Sequence, residues 1–244
     1  MEPFTDLVEK LRRELVELAG KEVNLKDGKV VQKSQELDEF LNCFYEMMPC
    51  DMQKPTTCYY KTVAEAVATA LSKKGLTDKG CILRLKEFCR MKGKKVNLSP
   101  LQLGSLDLLA QVHNLGMVVI PSQLLFKKGP LTEKERQTAR QHPEEGYRIA
   151  LYLEELSGIA DLILKHHEYW DGSGYPLGLI KAEIPAECRI LAVVDAYNAT
   201  TSDRPYRRAI REEDAVTELK RCAGSQFDPE LVEVFCEIVE RRPE

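Results

Sequence analysis

Ser99-Pro100-Leu101-Gln102 and Thr132-Glu133-Lys134-Glu135 are the stretches whose reading decides the fold. Each sets a hydroxyl three residues ahead of a Gln or Glu side chain that can reach back to the hydroxyl residue's own amide, the mark of a capped helix start. Asp228-Pro229 marks a further start. Outward from these points the pattern stays helical. No run alternates with period two for long enough to build a sheet, so the class predicted is all-α. Towards the N-terminus, Leu7, Val8, Leu11, Leu15 and Leu18 recur at three- and four-residue intervals and Gly20 ends the run. Ser34 caps a second amphipathic run carrying Leu37, Phe40, Leu41, Phe44 and Met48. Together they predict a two-helix antiparallel hairpin over residues 1–49. Pro49 and Pro55 bracket a linker at 50–55, and a helical bundle is expected over 56–244. A Gly- and Pro-rich connection from Tyr169 to Pro185 is the long irregular segment of the bundle's later half, and such loops are often functional.

Composition narrows the classes of function. The 244 residues are 43% hydrophobic and 30% charged with a formal net charge of -4, a globular balance with no global field for nucleic acid or an anionic membrane. Any phosphate site must therefore be local. The longest apolar runs, such as Ile190 to Val194, fall far short of the roughly 18 residues a membrane span needs, and the charged N-terminus has no apolar signal region. The expected location is the cytoplasm. The eight cysteines include no CxxC pair and read as reduced thiols rather than a disulfide framework. A zinc site from Cys43, Cys50 and Cys58 is the sharper alternative, and its spacing is wider than structural zinc usually shows.

Histidine is scarce and concentrated. All four copies, His113, His142, His166 and His167, lie within one span of the chain, and the last two open the loop Trp170-Asp171-Gly172-Ser173-Gly174-Tyr175-Pro176. Successive helical residues point about 100° apart, so both rings of the pair reach one ion only where the helix unwinds. Imidazoles from several helices with a carboxylate such as Asp195 suit iron, manganese or zinc. The run HHEYWDGSGYPLGL, then IPAECRILAVVDAYNATTSDRPYRRA and FDPELV, resembles the HD-GYP family of metal-dependent phosphohydrolases that cleave cyclic di-GMP. The resemblance spans about residues 56 to 240. It implies a helical bundle and a metal-ligand set of His113, Asn114, His142, His166, His167 and Asp195, iron or manganese being the usual ions.

The departures fall on the chemistry. Where the family reads HD-x-G-K, this sequence reads His113-Asn114-Leu115-Gly116-Met117, so a bridging carboxylate and a phosphate-facing amine are both replaced by uncharged groups. Tyr59 aligns with the family's first-helix His, and Asn198 stands where Asp is common. Two dications about 3.5 to 4 Å apart need bridging negative charge to offset their repulsion, and Asn114 supplies none. The expectation is at most one divalent ion, with cyclic di-GMP bound and turned over weakly or not at all. Arg204, Arg207 and Arg208 would contact phosphates through their guanidinium forks, while Gly174, Tyr175 and Pro176 would line the mouth or meet a partner such as a diguanylate cyclase. Taken without the motif, those arginines are a solvated helix start.

The N-terminal pattern LVEKLRRELVELA followed by LKDGKVVQKSQELDEFLNCFYEM resembles the small hairpin aspartyl-phosphate phosphatases of the sporulation phosphorelay, whose signature is SQELD. It covers about residues 4 to 48. The resemblance implies a phosphorylated sporulation response regulator as partner. Ser34 and Asp38 share a helix face opposite the apolar stripe, which leaves the Asp38 carboxylate free to orient water in a partner's site. From spacing alone they read as a cap and a first-turn charge. The sequence is thus read as a two-part all-α signalling protein. Its rivals are an active one-metal phosphodiesterase and a non-catalytic interaction scaffold.

Overall fold

Ser99 Oγ accepts the Gln102 amide at 3.3 Å while Gln102 Oε1 accepts the Ser99 amide at 3.1 Å, so the reciprocal cap read from the sequence is in place. Thr132 and Glu135 make the same exchange, and Asp228 Oδ1 accepts the amides of Glu230 and Leu231. The computed structural model describes residues 57–73, 79–202 and 208–240. The chain divides into two units, residues 1–51 and 52–244, and the described residues all belong to the second. The expected hairpin and the linker lie outside the described residues.

Thirteen elements follow one another among the described residues. They are α1 (Thr57–Lys73), α2 (Lys79–Lys95), α3 (Pro100–Val112), a 3-10 turn (Leu115–Val119), α4 (Ser122–Leu125), α5 (Glu133–Ala139), α6 (His142–Tyr152), α7 (Glu154–Ser157), α8 (Ala160–Lys165), a second 3-10 turn (Lys181–Glu183), α9 (Ala186–Thr200), α10 (Glu212–Arg221) and α11 (Pro229–Glu240). No strand is present among the described residues; two isolated bridges, Asp171 with Ile180 and Ala223 with Phe227, merely pin loops. The class is all-α, as expected. None of the described helices is long and apolar enough to cross a membrane.

The order of burial follows from α9. Its sequence is apolar on several sides, and Cys188, Ile190, Leu191, Val193, Val194 and Tyr197 are all buried where it packs against α2, α3, α10 and α11. Phe88 of α2, Tyr197 of α9 and Phe235 of α11 meet edge to face with ring centroids 5.2 to 5.6 Å apart, the favoured aromatic geometry. Arg84 of α2 holds the end of α9: its Nε donates to Asn198 Oδ1 at 2.7 Å and its Nη2 to the Asn198 carbonyl at 3.1 Å. Asn198 Nδ2 in turn donates to the Cys81 carbonyl at 3.1 Å. The residue that departs from the family pattern is therefore a strut between α2 and α9. Within the described residues Cys89, Cys188, Cys222 and Cys236 are free thiols, and Cys81 Sγ donates to Ser202 Oγ at 3.3 Å; Cys43 and Cys50 lie outside them, as does the Cys58 side chain.

Candidate metal centre

The 3-10 turn that follows α3 packs on α6, and the contact is backbone on backbone. A Cβ placed on Gly116 would sit 1.9 Å from the His142 carbonyl oxygen and 2.5 Å from the Gly146 nitrogen. Only glycine fits there, and the close approach draws His113, at the end of α3, towards His142, at the start of α6. Helix α8 stops at Lys165. His166 keeps right-handed backbone angles as its C-cap and His167 lies in the turn beyond, the unwinding that the adjacent pair requires.

One nitrogen each of His142, His166 and His167 lies within 4.8 Å of the others. His142 Nε2 and His166 Nε2 face each other at 3.3 Å. The Nδ1 atoms of His113, His142 and His166 lie 3.2, 2.9 and 2.6 Å from the carbonyls of Ala110, Ala139 and Ile163. Protonated at Nδ1, each ring donates to its carbonyl and turns an Nε2 lone pair inward, the orientation a metal ligand needs. Burial holds His142 down at about 4, the His113 charge acting in the same direction and the Ala139 hydrogen bond against it. Burial and then the neighbouring imidazoles push His166 and His167 well below their ordinary value. Lone pairs crowded together and kept unprotonated are a donor set that fits one divalent cation.

The remaining predicted ligands fall outside this grouping, although His113 lies beside it. The His113 ring centroid is 5.5 Å from that of His166, and Asp195 Oδ1 is 3.9 Å from His113 Nε2, too far for a hydrogen bond. Asn114 Nδ2 is 2.9 Å from His113 Nε2 and donates to its lone pair, so the carboxamide occupies the acceptor that His113 would offer an ion. Arg208 is exposed. Ser34, Asp38, Arg204 and Arg207 lie outside the described residues, as does the Tyr59 side chain, although Tyr59 falls on α1.

The loop after His167 is built on a residue that sequence reading passed over. Glu168 is buried, and its two carboxylate oxygens accept the amides of Leu177 at 2.6 Å and Leu179 at 2.9 Å. The Tyr175 amide donates to the His167 carbonyl at 3.1 Å, and Gly174 lies so close to Glu168 that a Cβ would meet the Tyr169 nitrogen at 2.2 Å. Tyr175 is thereby stacked on His167, centroids 5.0 Å apart and planes 24° apart. Pro176 follows it through a cis peptide. Leu177 and Ile180 of the same loop are exposed.

Residues 62–231 match the family described as HD domain. The chain belongs to the HD domain family. Residues 5–46 match a second family, Spo0E like sporulation regulatory protein. Among curated HD domain relatives, a cyclic di-GMP phosphodiesterase of Thermotoga maritima is 36% identical over 147 residues, covering 59% of this chain and 40% of the relative. The cyclic di-GMP phosphodiesterase response regulator RpfG of Xanthomonas campestris is 35% identical over 160 residues, covering 62% of this chain and 41% of the relative. The chain therefore spans about two fifths of the length of these relatives. A solved structure, Bd1817, a HDG"Y"P protein from Bdellovibrio bacteriovorus, superposes with a TM-score of 0.57 at 14% identity, over 93% of this chain and 78% of that one, and shares the fold.

Proposed function

We propose that the HD domain unit, taken as residues 56–244, binds cyclic di-GMP at a centre holding at most one divalent ion, iron or manganese, and hydrolyses it feebly or not at all. The observation that carries the reading is the triad His142, His166 and His167 standing together while Asn114 covers the His113 lone pair. The names of the relatives supply the ligand class. A divalent ion held by the triad supplies Lewis acidity towards a phosphodiester. The chain's own groups do the rest. Asp195 adds the one carboxylate beside the imidazoles, Arg204, Arg207 and Arg208 contact phosphate, and Gly174, Tyr175 and Pro176 form the mouth. With Met117 in place of an amine, the phosphate under attack loses a cation that would stabilise the charge developing on it.

Elemental analysis of the purified chain, with cyclic di-GMP binding and turnover measured in added iron or manganese, tests this. One ion or fewer per chain, binding, and little turnover are expected; His166→Ala should lose whatever ion is present. Two ions at full occupancy, or fast turnover abolished by His167→Ala, would favour the active phosphodiesterase instead.

A second reading rests on the match of residues 5–46 to the sporulation family. Residues 1–49 engage a phosphorylated sporulation response regulator, with Asp38 orienting water and Ser34 capping its helix, and 50–55 serve as linker to a cytoplasmic signalling unit. Asp38→Asn should keep binding yet slow loss of the aspartyl phosphate, since the amide keeps the shape and loses the charge. Equal rates for both proteins above spontaneous decay would remove Asp38 from the chemistry. No acceleration by either would favour a scaffold that docks a partner such as a diguanylate cyclase.

A further inference from the structure

Most basic side chains beside acidic ones in this unit are paired. Lys86 meets Asp107, Lys127 meets Glu135, Arg136 meets Glu133, Arg148 meets Glu145, and Arg189 meets Asp228. Arg140 is different. It caps the C-terminal end of α5, two residues before His142, its side chain is exposed, and among the described residues its guanidinium has no carboxylate partner. Its Cζ lies 5.2 Å from the centroid of the Tyr175 ring, the ring stacked on His167. Its positive charge acts on His167, and the negative charge of Asp195 acts on His142.

An arginine presents five N–H donors in a planar fork that matches two oxygens of a phosphate, and stacking against an aromatic face fixes the plane without consuming those donors. The centre lacks an amine at Met117, and a cation is brought beside it from the α5–α6 junction instead, through the Tyr175 ring that stacks on His167. We infer that Arg140 is an anion contact of this centre, binding a phosphate group of a ligand that also reaches His142, His166 and His167. The inference rests on the reading of the unit as a phosphate-ligand site and names a residue which that reading did not include.

Titration calorimetry of the full chain with cyclic di-GMP and, separately, with inorganic phosphate tests it, using wild type, Arg140→Ala, Arg140→Lys and, as a control one turn earlier, Arg136→Ala. Arg140→Ala should weaken binding roughly ten- to hundredfold, the equivalent of one lost charge-assisted hydrogen bond. Arg140→Lys should recover part of the loss, Arg136→Ala should match wild type, and wild-type binding should weaken with salt more steeply than that of Arg140→Ala. Metal content and melting temperature should be unchanged in Arg140→Ala. Affinities within twofold of wild type, or a loss that tracks a fall in metal content or melting temperature, would overturn the assignment. Phosphate binding that depends on Arg140 without any cyclic di-GMP binding would keep the inference and sink the cyclic dinucleotide reading. Binding of neither probe by wild type would remove both.

Discussion

Glu168 follows the histidine pair directly and turns its buried carboxylate away from it, towards the amides of Leu177 and Leu179. Each is a charge-assisted bond to a backbone donor, and a carboxylate can accept both because it has no proton to misplace. Glu168→Gln keeps the volume but sets an NH2 against one of those amides. The expected cost is about 1–3 kcal/mol, with faster hydrogen exchange at Leu177 and Leu179 than at the amides of α9. Unchanged exchange at both positions would show that the carboxylate does not hold the loop. Sequence reading reached the histidines because that residue type is rare and its spacing matches a known motif. It missed Glu168 because bonds to amides nine and eleven residues away leave no periodicity to read. Arg140 escaped for a related reason, since its place over Tyr175 depends on a loop closing back on α5.

At the scale of elements, the caps were legible and the contacts between elements were not. Ser99, Thr132 and Asp228 announce α3, α5 and α11 because a cap is a local bargain between a side chain and its own backbone. The seam between the first 3-10 turn and α6 has no such signature: Gly116 and Gly146 look like ordinary interruptions until the two backbones meet. Gly116→Ala pushes a methyl into the His142 carbonyl, where backbone rather than a flexible side chain must yield. It should destabilise the unit by about 1–3 kcal/mol and weaken metal retention, because His142 moves with the element that is displaced. Chemical unfolding together with metal retention under a chelator measures both. A variant as stable as wild type would mean that the seam relaxes freely.

For the whole molecule, the unexpected group is Lys92. A helix pattern assigns lysine to solvent, yet this side chain is fully buried, its Nζ has no hydrogen-bond partner among the described residues, and it lies 5.3 Å from the Phe235 ring centroid. Burial lowers its amine from 10.5 to about 7, Cys89, Asp228 and Cys236 pulling the other way. Between about pH 7 and 10.5 the unfolded chain binds a proton there that the folded chain does not, so this group makes stability rise with pH through that window. Buried Cys89 and Cys188 act oppositely above their ordinary value of 9.0, where the unfolded thiols ionise and the folded ones stay protonated. Urea midpoints should therefore climb from pH 7 to about 9 and then fall, because above the ordinary thiol value two thiols outweigh one amine. Lys92→Met should be more stable at pH 7 by roughly 1–4 kcal/mol and lose the climb. An equally steep climb in the variant would place its source elsewhere.

The two anchors at Glu168 make the intervening chain a ruler. His167 and Glu168 fix one end of it, while the amides of Tyr175, Leu177 and Leu179 fix the other, so the contour length between them is set without any side chain of the intervening residues. Such a segment tolerates changes of residue identity at its exposed positions far better than changes of residue number. Ser173→Ala should leave metal retention intact. One glycine inserted after Ser173 should abolish it while α9 and α11 stay folded, as hydrogen exchange would record, and an insertion without effect would mean that the loop finds its register by other means.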